Sequence, residues 1–295
     1  MLIATLIAAD RLEAGDISVA RDAIAAGGGG AGAVDWLEAG RAVDLPLTGI
    51  GRAAARAALE ALLPGVDVVV QPSENRRKKL IIADMDSTMI TIECIDELAD
   101  YVGIKAQVAA ITEAAMRGDL DFIGALDARV ALLKGMDRAT IDRCREERVK
   151  IMPGARVLIG TMKANGARAV LVSGGFTVFA DPVAAEIGFD LAISNTLEMD
   201  GQGRLSGMVT RPVIDSGTKR KTLLAELEAL GLPADMALAV GDGANDVPMI
   251  ETAGLGVAYH AKPKTAAAAD ACINHNDLTA LLFAQGYRRG EWLDA

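Results

Sequence analysis

Lys79-Leu-Ile-Ile-Ala-Asp-Met-Asp-Ser-Thr88 is the stretch whose reading decides the fold. Leu80, Ile81, Ile82 and Ala83 form a short apolar run, the pattern of a strand buried on both faces. The run leads directly into Asp84 and Asp86. In an extended chain residues i and i+2 point the same way. Both acids therefore face one site at the carboxyl end of a buried strand, where open α/β sheets bind their ligands. Two like charges so close repel, and a divalent cation is the usual remedy. Taken alone, the stretch also reads as a strand followed by a solvated, Asp-rich turn.

Three later stretches remove that ambiguity. Ala169-Val-Leu-Val-Ser-Gly-Gly175 is a second buried strand, ending in a small hydroxyl and a glycine pair. Lys219 lies in Gly217-Thr-Lys-Arg-Lys-Thr-Leu223, at the start of a helical pattern. Ala237-Leu-Ala-Val-Gly-Asp-Gly-Ala-Asn-Asp246 is a third strand ending in acids. This order resembles the four motifs of the haloacid dehalogenase superfamily: DxDx[TV], Ser/Thr, Lys and GDGxND. Within it, the pattern is most similar to the phosphoserine-hydrolysing branch of the bacterial two-domain type. The resemblance covers roughly residues 76–285 and departs from none of the four motifs.

At 295 residues the chain is long enough for two domains and a sizeable core. A hydrophobic content of 51% with 24% charged residues is that of a soluble globular protein. The net charge of −10 argues against a nucleic-acid partner, which demands clustered Lys and Arg. It also means that an anionic substrate must be drawn in locally, against the global field. Cys94, Cys144 and Cys272 are far apart and odd in number. They form no disulfide frame or zinc pattern, which fits a reducing cytoplasm. The apolar start, Met1 to Ala9, is too short for a membrane span and lacks a basic leader, so it reads as a first strand and no membrane partner is expected.

Residues 1–71 read as strand, helix, two strands, helix, strand. Leu2 to Ala8 is the first strand, and Ser18 is expected to cap a helix over Val19 to Ala26. Gly27 to Gly30 read as a loop, since no lysine follows to make a phosphate-binding turn. Ala33–Glu38 and Arg41–Leu47 suggest a hairpin around Gly40. Gly51 to Leu63 is an Ala-rich helix, and Val66 to Val70 the last strand. The order is the α+β ferredoxin-like one, and it resembles the amino-acid-binding ACT-type domain that many such phosphatases carry. If the chain self-associates, a homodimer through this domain is expected. Residues 72–79, polar, charged and opened by Pro72, read as a solvated linker.

Residues 95–151 contain no convincing strand pattern and read as four helices, with Asp119 to Asp121 supplying a cap before the third. A helical insertion between two strands of a parallel sheet is what a lid looks like. From Pro153 onward strands and helices alternate, with short antiparallel strands expected over 190–214. The expected fold class is therefore α/β: a doubly wound parallel-sheet core, residues 80–94 and 152–295, with a small helical cap over 95–151 and the α+β unit in front.

The chemistry follows from the resemblance. A carboxylate nucleophile splits phosphate monoester hydrolysis into two steps through an aspartyl-phosphate. The resemblance assigns that role to Asp84 and makes Asp86 the general acid and base. It gives a magnesium site to Asp84, Asp242 and the main-chain carbonyl of Asp86, with Asp246 behind them. It also implies that Ser173, Gly174 and Asn245 bind the phosphoryl group and that Lys219 neutralises it. Spacing alone does not separate Lys219 from Arg220 and Lys221. For the substrate, the resemblance offers Glu93 to an ammonium, Arg129 to a carboxylate, and Met116 and Phe122 as apolar closure. His260 and His275 read as structural.

Three readings stay open at this level. One is a cytoplasmic, magnesium-dependent hydrolase of O-phospho-L-serine, the last step of serine biosynthesis. Another is a relative acting on a different small phosphate ester or transferring the phosphoryl group. The third is an inactive, amino-acid-sensing regulatory protein.

Overall fold

The computed structural model describes residues 1–117 and 119–294. The N-terminal unit contains β1 (Leu2–Ala8), α1 (Ala14–Ala26), β2 (Gly30–Ala31), β3 (Asp35–Glu38), β4 (Ala42–Thr48), α2 (Arg52–Glu60) and β5 (Val66–Pro72). Its sheet runs β2-β4-β1-β5, with β3 also on β4, and every pairing is antiparallel. This is the ferredoxin-like arrangement. One expected detail is corrected: α1 starts four residues before Ser18. Glu13 and Asp16 form its capping box, and the Ser18 hydroxyl donates to the Ala14 carbonyl inside the helix.

Both faces of this sheet are covered. Ala4, Leu6, Val43, Leu45, Val68 and Val70 pack under α1 and α2. Ile7, Leu37, Ala42 and Val69 join the main core on the opposite face. Polar ties reinforce that docking: the buried Asp67 accepts from the amides of Asn274, His275 and Asn276.

The connector 72–79 is not the solvated linker that its composition suggests. Arg76 pairs with Asp44, Arg77 with Glu291, and the Lys79 ammonium with the Asn165 carbonyl. Lys78 is only 4% exposed and donates to the Asp235 carbonyl. Each cation finds a partner on a flanking unit, so the segment is pinned on both sides.

The second sheet begins with β6 (Leu80–Ala83), whose four residues are fully buried. Its alternation serves two cores: Ile81 and Ala83 join one apolar cluster, Leu80 and Ile82 another. Then come the helices α3 (Cys94–Tyr101), α4 (Lys105–Met116), α5 (Phe122–Ala131) and α6 (Arg138–Arg148). Asp121 caps α5 by accepting from the Gly124 amide. This insertion leaves and returns through paired chain, with Ile90 bridged to Ile151 and the Met152 amide on the Met89 carbonyl.

The chain continues through α7 (Ala155–Ala164), β7 (Arg168–Phe176), α8 (Thr177–Ile187), β8 (Leu191–Asn195), β9 (Leu197–Met199) and β10 (Leu205–Val209). It closes with α9 (Ser216–Leu230), β11 (Ala237–Gly241), α10 (Val247–Ile250), β12 (Leu255–Tyr259), α11 (Pro263–Ala268), β13 (Ala271–Ile273) and α12 (Ala280–Ala284). The sheet order is β13-β12-β11-β6-β7-β8, parallel throughout. Over 190–214 the expectation holds only for β9 and β10. Leu191–Asn195 is instead a parallel edge strand beside β7. The chain builds outward from β6 in one direction and then returns to build in the other. The crevice at such a switch point is where this architecture binds ligands.

Candidate active site

Register places the motifs side by side. Ala83 pairs with Val240 on one flank and Leu171 on the other. Asp84, Asp242 and Ser173 therefore leave neighbouring strands at the same edge. Lys219 reaches this edge from the first turn of α9, where Asp215 caps the helix by accepting from the Thr218 amide. Its ammonium lies 2.5 Å from Asp84 Oδ1 and 2.6 Å from Asp246 Oδ1. Arg220 and Lys221 are exposed, so helix phase selects Lys219, at 1% exposure, from the three consecutive cations.

Asp84, Asp242 and Asp246 bring carboxylate oxygens within 4.8 Å of one another, all buried. Burial, then Asp246, lifts Asp84 well above the usual carboxylate range, against the pull of Lys219. Burial and Asp246 likewise push Asp242 up to about 6. Burial works against the Lys219 charge, but Asp84 and Asp246 outweigh it and raise its pKa. Three buried carboxylates against one ammonium leave uncompensated negative charge, and an all-oxygen donor set suits a hard divalent cation. The residues fit such an ion.

The glycines of this loop have a steric reason. A Cβ on Gly241 would come within 2.4 Å of Asp246 Cγ, and one on Gly243 within 2.3 Å of Asn245 Oδ1. The Gly243 amide donates to Asp246 Oδ2 at 3.0 Å.

The Asp86 side chain stands apart from that acidic cluster. Its Oδ2 accepts from the Cys94 amide at 3.1 Å, while Oδ1 is buried without a hydrogen-bond partner. Burial, with Glu93 next, pushes the Asp86 pKa up to about 7. A carboxyl so poised can hold or release a proton at neutral pH.

A cavity of about 390 Å³ lies between the strand ends and the helical insertion. It brings together Asp84, Asp86, Glu93, Phe122, Arg129, Ser173, Gly174, Asp242 and Asn245, every one expected from the sequence. Lys219 and Asp246 lie behind the lining. The side chain of Met116 lies outside the described residues. Phe122 sits over Gly174, its Cζ 3.6 Å from where a Cβ there would be. Arg129 lines the same cavity seven residues on, its Nε donating to the Ala125 carbonyl.

Two contributors carry no local signal. Asn195, at the end of β8, is buried; it donates to the Gly174 carbonyl and accepts from the Ile214 amide, both at 2.8 Å. It thereby fixes the backbone of β7 at Ser173–Gly174. Lys262 lines the cavity from beyond β12, with Nζ 4.0 Å from Asp242 Oδ2. Neither histidine lines this cavity. The His275 amide donates to Asp67, and His260 Nε2 lies 3.2 Å from the Asn276 carbonyl.

The doubly wound sheet, its strand-end acids and its helical insertion are the features of one class of hydrolase. The chain belongs to the haloacid dehalogenase-like hydrolase family, whose profile matches residues 81–251. It is 50% identical over 209 residues to a phosphoserine phosphatase of Polaromonas sp., covering 69% of this chain and 88% of that one. It is 42% identical over 254 residues to a phosphoserine phosphatase of Streptomyces coelicolor, covering 85% of this chain but only 62% of that relative's length. A crystal structure of a probable phosphoserine phosphatase from Vibrio cholerae superposes with a TM-score of 0.78 at 33% identity. That match covers 98% of this chain and 88% of the other.

Proposed function

We propose that the chain hydrolyses O-phospho-L-serine to L-serine and phosphate, the closing step of serine biosynthesis. One observation carries this reading. The cavity above Asp84 and Asp86 offers one carboxylate, Glu93, and one guanidinium, Arg129, the pair that a zwitterionic amino acid requires.

In the first step an Asp84 oxygen attacks phosphorus and the bond to the serine oxygen breaks. Asp86 gives its proton to that oxygen, and serine leaves. In the second step Asp86 takes a proton from water, whose oxygen attacks the aspartyl-phosphate. The phosphorus–oxygen bond to Asp84 breaks and the carboxylate is restored. Ser173 and the Gly174 amide hold the phosphoryl oxygens, Asn245 contacts them, and Lys219 balances charge on Asp84. Magnesium is the proposed cation; Asp84, Asp242 and the Asp86 carbonyl would hold it, with Asp246 behind them. When bound it screens the incoming phosphoryl charge from these carboxylates.

Residues 80–94 and 152–295 act as the catalytic unit, 95–151 as the cap and 1–71 as an accessory domain. Because one sheet face of that domain is docked on the core, a homodimer through it would use its α1–α2 side or a strand edge. Three buried, unpaired cysteines fit a reducing cytoplasm.

Phosphate release from L-phosphoserine, with magnesium and then with excess chelator, tests the proposal. Rapid release that needs the metal is expected. Turnover of other esters but not this one would identify a related phosphatase, and no turnover of any ester would indicate a regulatory protein.

A further inference from the structure

The loop between β6 and α3 holds a residue that the reading above does not use. Ser87 is half-buried and has φ +55°, in the left-handed region that favours glycine. A non-glycine residue is kept in that region only where its surroundings over-determine it, and such residues cluster at functional sites. The Ser87 amide donates to the Ile92 carbonyl at 3.1 Å, closing the loop. Its hydroxyl donates to Glu93 Oε1 at 2.8 Å. The next hydroxyl, on the buried Thr88, lies 3.4 Å from Asp242 Oδ1. Two adjacent hydroxyls thus reach two of the cavity's acids, Glu93 and Asp242.

The position of Glu93 shows why it needs holding. It is the N-cap residue of α3, where a side-chain oxygen ordinarily accepts from the first helical amides. No such bond is made here: the Cys94 amide goes instead to Asp86. The Glu93 carboxylate lines the cavity, with one oxygen on Ser87. The Asp96 and Glu97 amides go to the Glu93 carbonyl, so without that hydroxyl the Ile95 amide, at the second helical position, would compete for the carboxylate.

We propose that Ser87 is a positioning residue for substrate selection: it holds Glu93 off its own helix terminus and presents the carboxylate to the substrate amine. This rests on the reading of Glu93 as the ammonium partner. A glycine would relieve the backbone but lose the hydroxyl, so a serine in this conformation is explained by its side chain.

The test is kcat/KM for O-phospho-L-serine and for p-nitrophenyl phosphate, which has no amine. It is measured in the wild type, Ser87→Gly, Glu93→Gln and the double variant, each first shown to be folded by its thermal transition. Ser87→Gly should lower the ratio of the two values roughly tenfold, the scale of one hydrogen bond to a charged group, mainly through KM for phosphoserine. In the Glu93→Gln background the same change should leave the ratio where Glu93→Gln alone put it. Equal losses on both substrates, or an undiminished effect without Glu93, would overturn the role of Ser87 alone. An unchanged ratio in Glu93→Gln would overturn the reading of Glu93 and the proposal with it.

Discussion

Arg76 grips Asp44 with both ends of its guanidinium, Nη1 at 2.7 Å from Oδ2 and Nη2 at 2.9 Å from Oδ1. Thr5 donates to the same carboxylate, and Arg76 also reaches the Ala284 carbonyl of the core. The connector, the N-terminal sheet and α12 therefore share one largely buried polar knot. Removing one partner strands the other's charge, so Asp44→Ala should cost about 3–5 kcal/mol. The measurement is the urea midpoint, together with proteolysis near residue 75. An unmoved midpoint would show that the Arg76–Asp44 pair contributes nothing to the stability of the whole.

Asp84→Asn should fold and bind substrate but accept no phosphoryl group, because an amide is no nucleophile. Rapid quench with labelled phosphoserine should trap acid-stable label on the wild type alone. Matching label on the variant would move the nucleophile elsewhere.

Arg129→Ala should cost roughly 2–4 kcal/mol in transition-state stabilisation for phosphoserine, as expected for a charge-assisted pair. A generic ester makes no use of the guanidinium and should suffer much less. The ratio of kcat/KM for the two substrates is the quantity to follow. Its constancy would reduce Arg129 to ordinary cap surface.

Burial lowers the pKa of Lys78 from 10.5 to about 8, although Asp235 and Asp270 pull the other way. Between those two values the unfolded chain holds a proton that the folded chain does not, so this group makes stability rise with pH across that window. Lys78→Met removes the slope. The variant's advantage over wild type should be largest below about pH 8 and fade towards pH 10. Urea titrations at pH 7.5, 9 and 10 would reveal it. Parallel stability curves for the two proteins would mean that Lys78 is already well solvated.

Much of the architecture was legible because the signals are local. The apolar run of Leu80–Ala83, the two acids in step after it, and the cap at Asp121 depend only on neighbours in the chain. So do the alternation that predicts a parallel sheet and the unbroken helical stretch of the lid. Where local signals compete, the reading failed: Ser18 is a good cap, but the paired Glu13 and Asp16 satisfy the helix start better.

What tertiary structure alone decided are relationships across long separations. Lys219, Arg220 and Lys221 are alike in sequence, and only the seating of α9 on the sheet brings Lys219 against Asp84, 135 residues away. Leu191–Asn195 became a parallel edge strand because β7 had an open side, and Asn195 thereby reached the Gly174 carbonyl. Residues 72–79 look like a free linker because their partners, among them Asp44, Asn165 and Asp235, are scattered along the chain. Local pattern encodes which face of an element is apolar. Which buried charge meets which is set by how the elements stack, and no single segment carries that information.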